Sequence, residues 1–100
     1  MDVPRYHELL WPSVIALREL VGSASISEFD EKMIELEGFG DELQSVLHGD
    51  GPTSEISYRL AWARTYLKGM GLADNSARAV WSLNELGRAV TEPELELEPL

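Results

Sequence analysis

Four groups of residues in this chain could do chemistry, and three of them lack the spacing that chemistry needs. A Mg²⁺ site built on oxygen ligands needs carboxylates converging from separate backbone segments. The nearest string is Asp30-Glu31-Lys32, inside a helical pattern where neighbouring side chains diverge by about 100°. It is expected to be a solvated helix face. The many other carboxylates between 28 and 42 follow no metal-loop pattern. His7 and His48 are far apart and neither has a ligand-spaced partner, so they are expected in loops or on the surface. Gly49-Asp50-Gly51 precedes no Lys-Ser or Lys-Thr, so it is no phosphate-cradling loop. There is no cysteine, which excludes disulfides, thiolate metal sites and a Cys nucleophile. No catalytic residue, metal ligand, cofactor or small-molecule substrate is expected.

The fourth group is a run of cations and aromatics between 55 and 70. Ile56, Leu60, Ala63, Leu67 and Met70 step by four and three, a core-facing helical stripe. With Ile56 at 0°, Arg64 falls near about 80° and Lys68 near about 120°, on one flank. Thr65 and Tyr58 point outward near about 180° and 200°, and Arg59 lies near about 300° on the other flank. A helix lying in a nucleic-acid groove needs this arrangement: outward side chains at base edges and flanking cations at the two backbones. Asn75, Ser76 and Arg78 would add contacts from the turn that follows, with Arg88 as a lesser addition. The competing reading has Arg59 and Lys68 lay their stems over the core and pair with acids. Tyr58, Trp62 and Tyr66 form a second stripe on the same helix. Trp62 is expected to pack near Trp11, with Tyr66 edging that contact, while Tyr58 stays open to base stacking or self-association.

Those residues sit in a chain of 100 residues with eighteen acids against eight Lys and Arg, a net charge of −10. One core is all that length supports. As an average, the charge argues against an indiscriminate nucleic-acid coat or an anionic membrane partner. The average hides a split. Residues 1–54 carry a net of −8, residues 55–90 a net of +2, and residues 91–100 four glutamates and no base. Because screening limits charge interactions to about 8 Å at physiological salt, the basic segment can still meet phosphate. No apolar run approaches the roughly 20 residues of a membrane span. MDVPRYHELL lacks the basic start and apolar stretch of a secretory signal, so a cytoplasmic location is expected.

The elements that position the basic segment follow from periodicity and punctuation. Leu10, Val14, Leu17 and Val21 define a first helix over Tyr6 to Val21, with Pro12 kinking it or starting a new helix and Gly22 ending it. Ser23 to Ile26 suits one small strand. Ser27 is the expected N-cap of a helix with Asp30 as its capping-box acid, Phe29, Met33 and Leu36 facing inward, and Gly38 closing it. Asp41 to Leu47 forms a shorter element with Phe39, Leu43, Val46 and Leu47 inward, followed by a loop over 48–54. Ser54 caps the long helix and Gly71 stops it. Two short strands follow around Asn75-Ser76, with Ala79, Trp81 and Leu83 on the inner side. Asn84 caps a last helix through Val90. The expected fold is mainly α with a small β-hairpin, a winged helix-turn-helix over 1–91. Residues 92–100 are expected as an acidic tail or linker.

The segment from Tyr58 to Val90 also resembles the N-terminal winged-helix domain of Mrr-type restriction endonucleases, which cleave modified, chiefly methylated, DNA. Arg59, Trp62, Ala63, Leu67, Lys68, Gly71 and Leu72 match the family's Arg, Trp-Ala, Leu-Lys and Gly-Leu along the long helix. Arg78, Trp81, Gly87 and Arg88 match its basic wing residue, aromatic strand residue and terminal Gly-Arg. Weaker similarity reaches back through Pro12 and Phe39-Gly40, covering most of residues 3–91. Tyr58 stands where the family usually has Asn, and Ala61 where some members have Gly. The resemblance implies a module that docks on duplex DNA, methylated DNA included, while a nuclease domain beyond residue 100 cuts. Its Asp and Glu-x-Lys motif has no counterpart here. Four phosphate contacts, from Arg59, Arg64, Lys68 and Arg78, imply a salt slope of roughly −3.6 in log K against log salt. The alternative is a protein-interaction or dimerisation winged helix that binds no DNA, its homodimer dispersed by alanine at Trp62 or Tyr66.

Overall fold

A computed structural model describes residues 3–21 and 23–96. A 3-10 turn, Tyr6–Leu9, runs directly into helix α1, Leu10–Glu19. Pro12 therefore occupies the third position of α1, not the first. It is still within the opening turn, where a backbone N–H has no intrahelical partner to lose. The buried Ser13 hydroxyl is satisfied by the Leu9 carbonyl at 2.6 Å. α1 ends at Glu19, three residues short of the expected glycine. Leu20 closes it, and Val21 takes a left-handed φ of 62°, a strained choice for a β-branched residue. Gly22 itself lies outside the described residues.

Strand β1, Ser23–Ser25, leads into α2, Ile26–Glu37. The cap of α2 is Ser25, not Ser27. Ser25 Oγ accepts from the Glu28 N–H at 3.1 Å, and the Glu28 carboxylate accepts from the Ser25 N–H at 2.8 Å. Both serines head an S-x-x-acid string. The strand ends at Ser25 and the helix begins at Ile26, so the earlier serine closes the box and Asp30 is left for another partner. Phe29 and Met33 are buried, whereas Leu36 lies at the surface. Gly38 terminates α2 in the left-handed region, at φ 66°. The bonds to Ser25 hold the Glu28 carboxyl below its ordinary value near 4.5. A depressed carboxyl contributes stability that is present above the ordinary value and lost as pH falls through the lowered one. Thermal melts between pH 3 and 6 should accordingly show a smaller acid-side decline for Glu28→Gln than for the parent chain.

A single helical turn, α3, Asp41–Gln44, buries Leu43 beneath Phe39. Val46 and Leu47, expected inside, are exposed. The reason is local: an isolated antiparallel bridge pairs Leu47 with Ser54, so the chain doubles back at the surface instead of continuing the helix. Helix α4, Glu55–Gly69, is capped by Ser54 Oγ on the Ser57 N–H and stopped by Gly71 at φ 79°. Ile56, Leu60, Ala63 and Leu67 are buried as the stripe predicts, with Met70 half-buried.

Strands β2, Ala73–Ala77, and β3, Val80–Leu83, form an antiparallel hairpin, and β3 also pairs with β1, giving the order β1-β3-β2. Ala24 faces Trp81 and Ala73 faces Leu83 in the two registers. The turn is Arg78-Ala79, not Asn75-Ser76. Ala79 takes the positive φ of 59°, and the register slips between Asp74 and Ala77. Asn75 closes that bulge by donating its side-chain amide to the Ala77 and Val80 carbonyls, at 3.0 and 2.7 Å. Of the three residues expected on the inner side, Leu83 is buried, Trp81 half-buried, and Ala79, in the turn, exposed. Asn84 caps α5, Glu85–Ala89, as expected. Residues 92–96, read from sequence as tail, form a short helix, α6, Glu92–Glu96, that places Leu95 in the core at 4% exposure. Residues 97–100 lie outside the described residues.

Leu9, Leu17, Phe29, Met33, Leu60, Leu67 and Leu83 are the large side chains that vanish from solvent, each stabilising by about 1.5–3 kcal/mol. They come from the 3-10 turn, α1, α2, α4 and β3, so one core fixes the long helix against the hairpin. Helix, strand, helix, long helix and hairpin, with the first strand closing onto the last, is a winged-helix-like architecture. No helix among the described residues is long and apolar enough to cross a membrane.

Candidate nucleic-acid interface

In this architecture α4 is the helix that presents an outer face, and the β2–β3 hairpin is the wing beside it. α4 carries a single acid, Glu55, at its first position. That carboxylate is occupied: His48 Nδ1 lies 3.1 Å from it and Arg59 Nε 3.7 Å. A chain of net charge −10 therefore presents an outward helix face with no unmatched carboxylate.

The eight residues expected at the interface divide by what they touch. Arg64 is in the core, at 5% exposure. Its Nη1 donates to Asp30 Oδ1 at 3.3 Å, and its guanidinium lies between the rings of Phe29 and Trp81, 5.2 and 5.7 Å from their centroids. Its Nε is buried without a hydrogen-bond partner among the described residues. Asp30 also accepts from the Ser57 hydroxyl at 3.2 Å. Burial pushes the Asp30 carboxyl up, with the Arg64 charge and the two hydrogen bonds pulling the other way. Burial likewise lowers Arg64, against the pull of Asp30. The Asp30-Glu31-Lys32 string is thus split. Asp30 faces inward rather than into solvent, while Lys32 reaches Glu19 and Glu35 at 3.4 and 3.6 Å.

Arg59 is half-buried and clamps the N-terminal segment, its Nη1 donating to the Val3 and Pro4 carbonyls at 2.7 and 3.1 Å. This is the competing reading, realised on backbone carbonyls and Glu55. Two of the four expected phosphate ligands are therefore committed inside the molecule. Neither is matched by Glu28, Glu31 or Glu35, the acids of α2 that face away. Lys68 and Arg78 are exposed and make no ion pair among the described residues. Thr65 is exposed, with Oγ1 donating back to the Ala61 carbonyl at 3.0 Å. Ser76 is exposed on β2, and Asn75 is spent on closing the bulge. Tyr58 is exposed and stacks on His48, ring centroids 3.6 Å apart.

Beside this face runs an open groove of about 1030 Å³, between α4, the N-terminal segment and the 46–55 turn. Trp62 lines it at 44% exposure instead of packing near Trp11, and Leu47 lines it at 54%. Trp11 meets the Arg18 guanidinium at 5.2 Å. Tyr66 stacks on Tyr6 at 4.7 Å. Arg5, His7, Val46 and Leu47 were not legible as site residues: Val46 and Leu47 read as inward core positions, and Arg5 and His7 carry no spacing that points to a site. The only signal was the four-residue spacing of Tyr58, Trp62 and Tyr66.

The fold and an outer face of α4 whose single carboxylate is matched define a winged-helix-like module with its long helix and wing presented together. The chain belongs to the Mrr N-terminal domain family, whose model matches residues 6–92. No curated protein and no solved structure gives a significant match. The family is that of a restriction-system domain.

Proposed function

We propose that this domain docks on duplex DNA, methylated DNA included, and that cutting is done elsewhere than in these residues. The outer face of α4 carries the reading: in a strongly acidic chain it holds no unmatched carboxylate, and Lys68 and the wing residue Arg78 are left without ion partners among the described residues. The helix lies in the major groove with Thr65 and Tyr58 toward base edges. Lys68 and Arg78 meet phosphate on either side, and Ser76 adds a wing contact. Thr65, exposed on α4, carries a methyl group of the kind that makes apolar contact with a base methyl, as in recognition of thymine. With Arg59 and Arg64 engaged internally, two phosphate contacts replace four.

The expected salt slope is therefore roughly −1.8 rather than −3.6. Fluorescence anisotropy of a labelled duplex between 20 and 200 mM salt reads it directly. Lys68→Ala and Arg78→Ala should each flatten the slope by about 0.9. Arg59→Ala should leave it unchanged. A slope near zero, or one flattened by Arg59→Ala alone, contradicts the proposal. The exposed Trp62 and Leu47 favour a second reading, a protein-interaction domain. A dimer in sedimentation velocity that Trp62→Ala disperses would support it.

A further inference from the structure

The aromatic groove is a stacking platform with one ring left open. Five rings, His48, Tyr58, Trp62, Tyr66 and Tyr6, run through the face in sequence, and the outer pairs are already stacked flat. His48 and Tyr58 lie 12° from parallel, Tyr6 and Tyr66 only 2°. Trp62 stands between these two stacks and is flat against neither, meeting Tyr58 at 71° and Tyr66 at 41°. Tyr58 meets it edge-on and Tyr66 at a tilt, while 44% of it faces solvent. An immobilised indole with an uncovered face is what a planar aromatic ligand needs, since the cost of ordering the ring has already been met.

Charge decides among possible occupants. Among the described residues one carboxylate lines the groove, Glu55, which is held by Arg59 and His48, while Arg5 at the rim is exposed and makes no ion pair there. A second copy of the chain would bring another net charge of −10 against the first. An apolar peptide would leave Arg5 unmatched. A nucleotide supplies both complements, a planar base for Trp62 and a phosphate for Arg5. The groove also flanks α4 on the side opposite Arg64 and the sheet, so a DNA strand leaving the face of α4 passes its mouth.

We infer that the groove takes a single unpaired nucleotide of the docked strand, its base stacked on Trp62 and its phosphate at Arg5. The inference rests on the docking reading above and adds a second, distinct contact to it.

The test compares a fully paired duplex with the same duplex carrying one unpaired 2-aminopurine, by anisotropy and by 2-aminopurine fluorescence. One stacked base is expected to tighten binding about tenfold and to quench the probe. Trp62→Ala should erase both effects, Trp62→Phe should restore part of each, and circular dichroism checks that both variants fold. Equal affinity for the two duplexes, with the expected salt slope intact, overturns the inference and leaves the docking reading standing. Tight binding of the unpaired duplex alone, lost in Trp62→Ala, keeps the inference for the groove and overturns docking through α4 and the wing. Binding of neither duplex overturns both. A dimer dispersed by Trp62→Ala assigns the ring to a second copy and overturns the inference.

Discussion

Replacing Gly87 by alanine is expected to lower the thermal midpoint by roughly 15 °C or to prevent folding. A Cβ at that position would sit 2.0 Å from the Leu72 carbonyl oxygen and 3.0 Å from Leu83 Cδ2. The first obstacle is backbone, and it is held in place: the Leu72 carbonyl accepts the Asn84 N–H at 3.1 Å. Relief would require α5 to lift away from the hairpin. That movement would strip the Gly87 N–H from Asn84 and draw the Gly87 and Val90 carbonyls away from Arg18. Overpacking of this kind costs about 3 kcal/mol, and at roughly 4–8 °C per kcal/mol for a domain of this size the shift follows. Differential scanning calorimetry of Gly87→Ala reads it, with Gly69→Ala as the control. Gly69 lies within α4 with open space around its Cβ position and should lose nothing, since alanine favours the helix.

Arg64→Met is the second large effect. It leaves Asp30, whose side chain is only 19% exposed, without its counter-ion, and unpaired buried charge costs about 3–5 kcal/mol. The double variant Asp30→Leu/Arg64→Met should recover most of that loss, because well-packed apolar pairs replace buried ion pairs at little cost. The pH dependence has a definite sign. Burial raises the folded-state pKa of Asp30 despite Arg64. The associated stability is therefore full below the ordinary aspartate value and is lost as pH rises through the raised one. Removing Arg64 pushes that carboxyl higher still. Chemical melts of Arg64→Met should thus recover stability on acidification toward pH 4, and the double variant should show no such recovery. Were Arg64 a phosphate ligand instead, its loss would weaken DNA binding and leave stability untouched.

Periodicity and punctuation made the architecture legible. The stepping of Ile56, Leu60, Ala63 and Leu67, the Ser54 and Asn84 caps, and the glycines at 38 and 71 are all local signals read from neighbouring residues. The errors at Arg64 and Leu95 come from contacts between elements distant in sequence, and those at the caps and turns from local bonds that compete with the expected ones. Arg64 lies about 80° from Ile56, inside the width of an ordinary core stripe, and α2 and Trp81 cover that flank. No helical wheel contains Asp30, 34 residues upstream. Leu36, Val46 and Leu47 read as core by hydrophobicity but have nothing above them. Leu95 read as tail, yet the surface of α1 was free to receive it. The wing turn shifted to Arg78-Ala79 because Asn75 bonds its own hairpin instead of turning it. The outward face was legible in part. Thr65, Lys68 and Tyr58 lie outward on α4 as the spacing predicts, while the groove beside them needed the fold.

Amide chemical-shift mapping with a short duplex at low salt tests the docking claim most directly. Shifts should concentrate at Tyr58, Thr65, Lys68, Ser76 and Arg78, with the amides of Ile26–Glu37 unmoved. Shifts spread over α2, or none at all at duplex concentrations that saturate other winged helices, would contradict it.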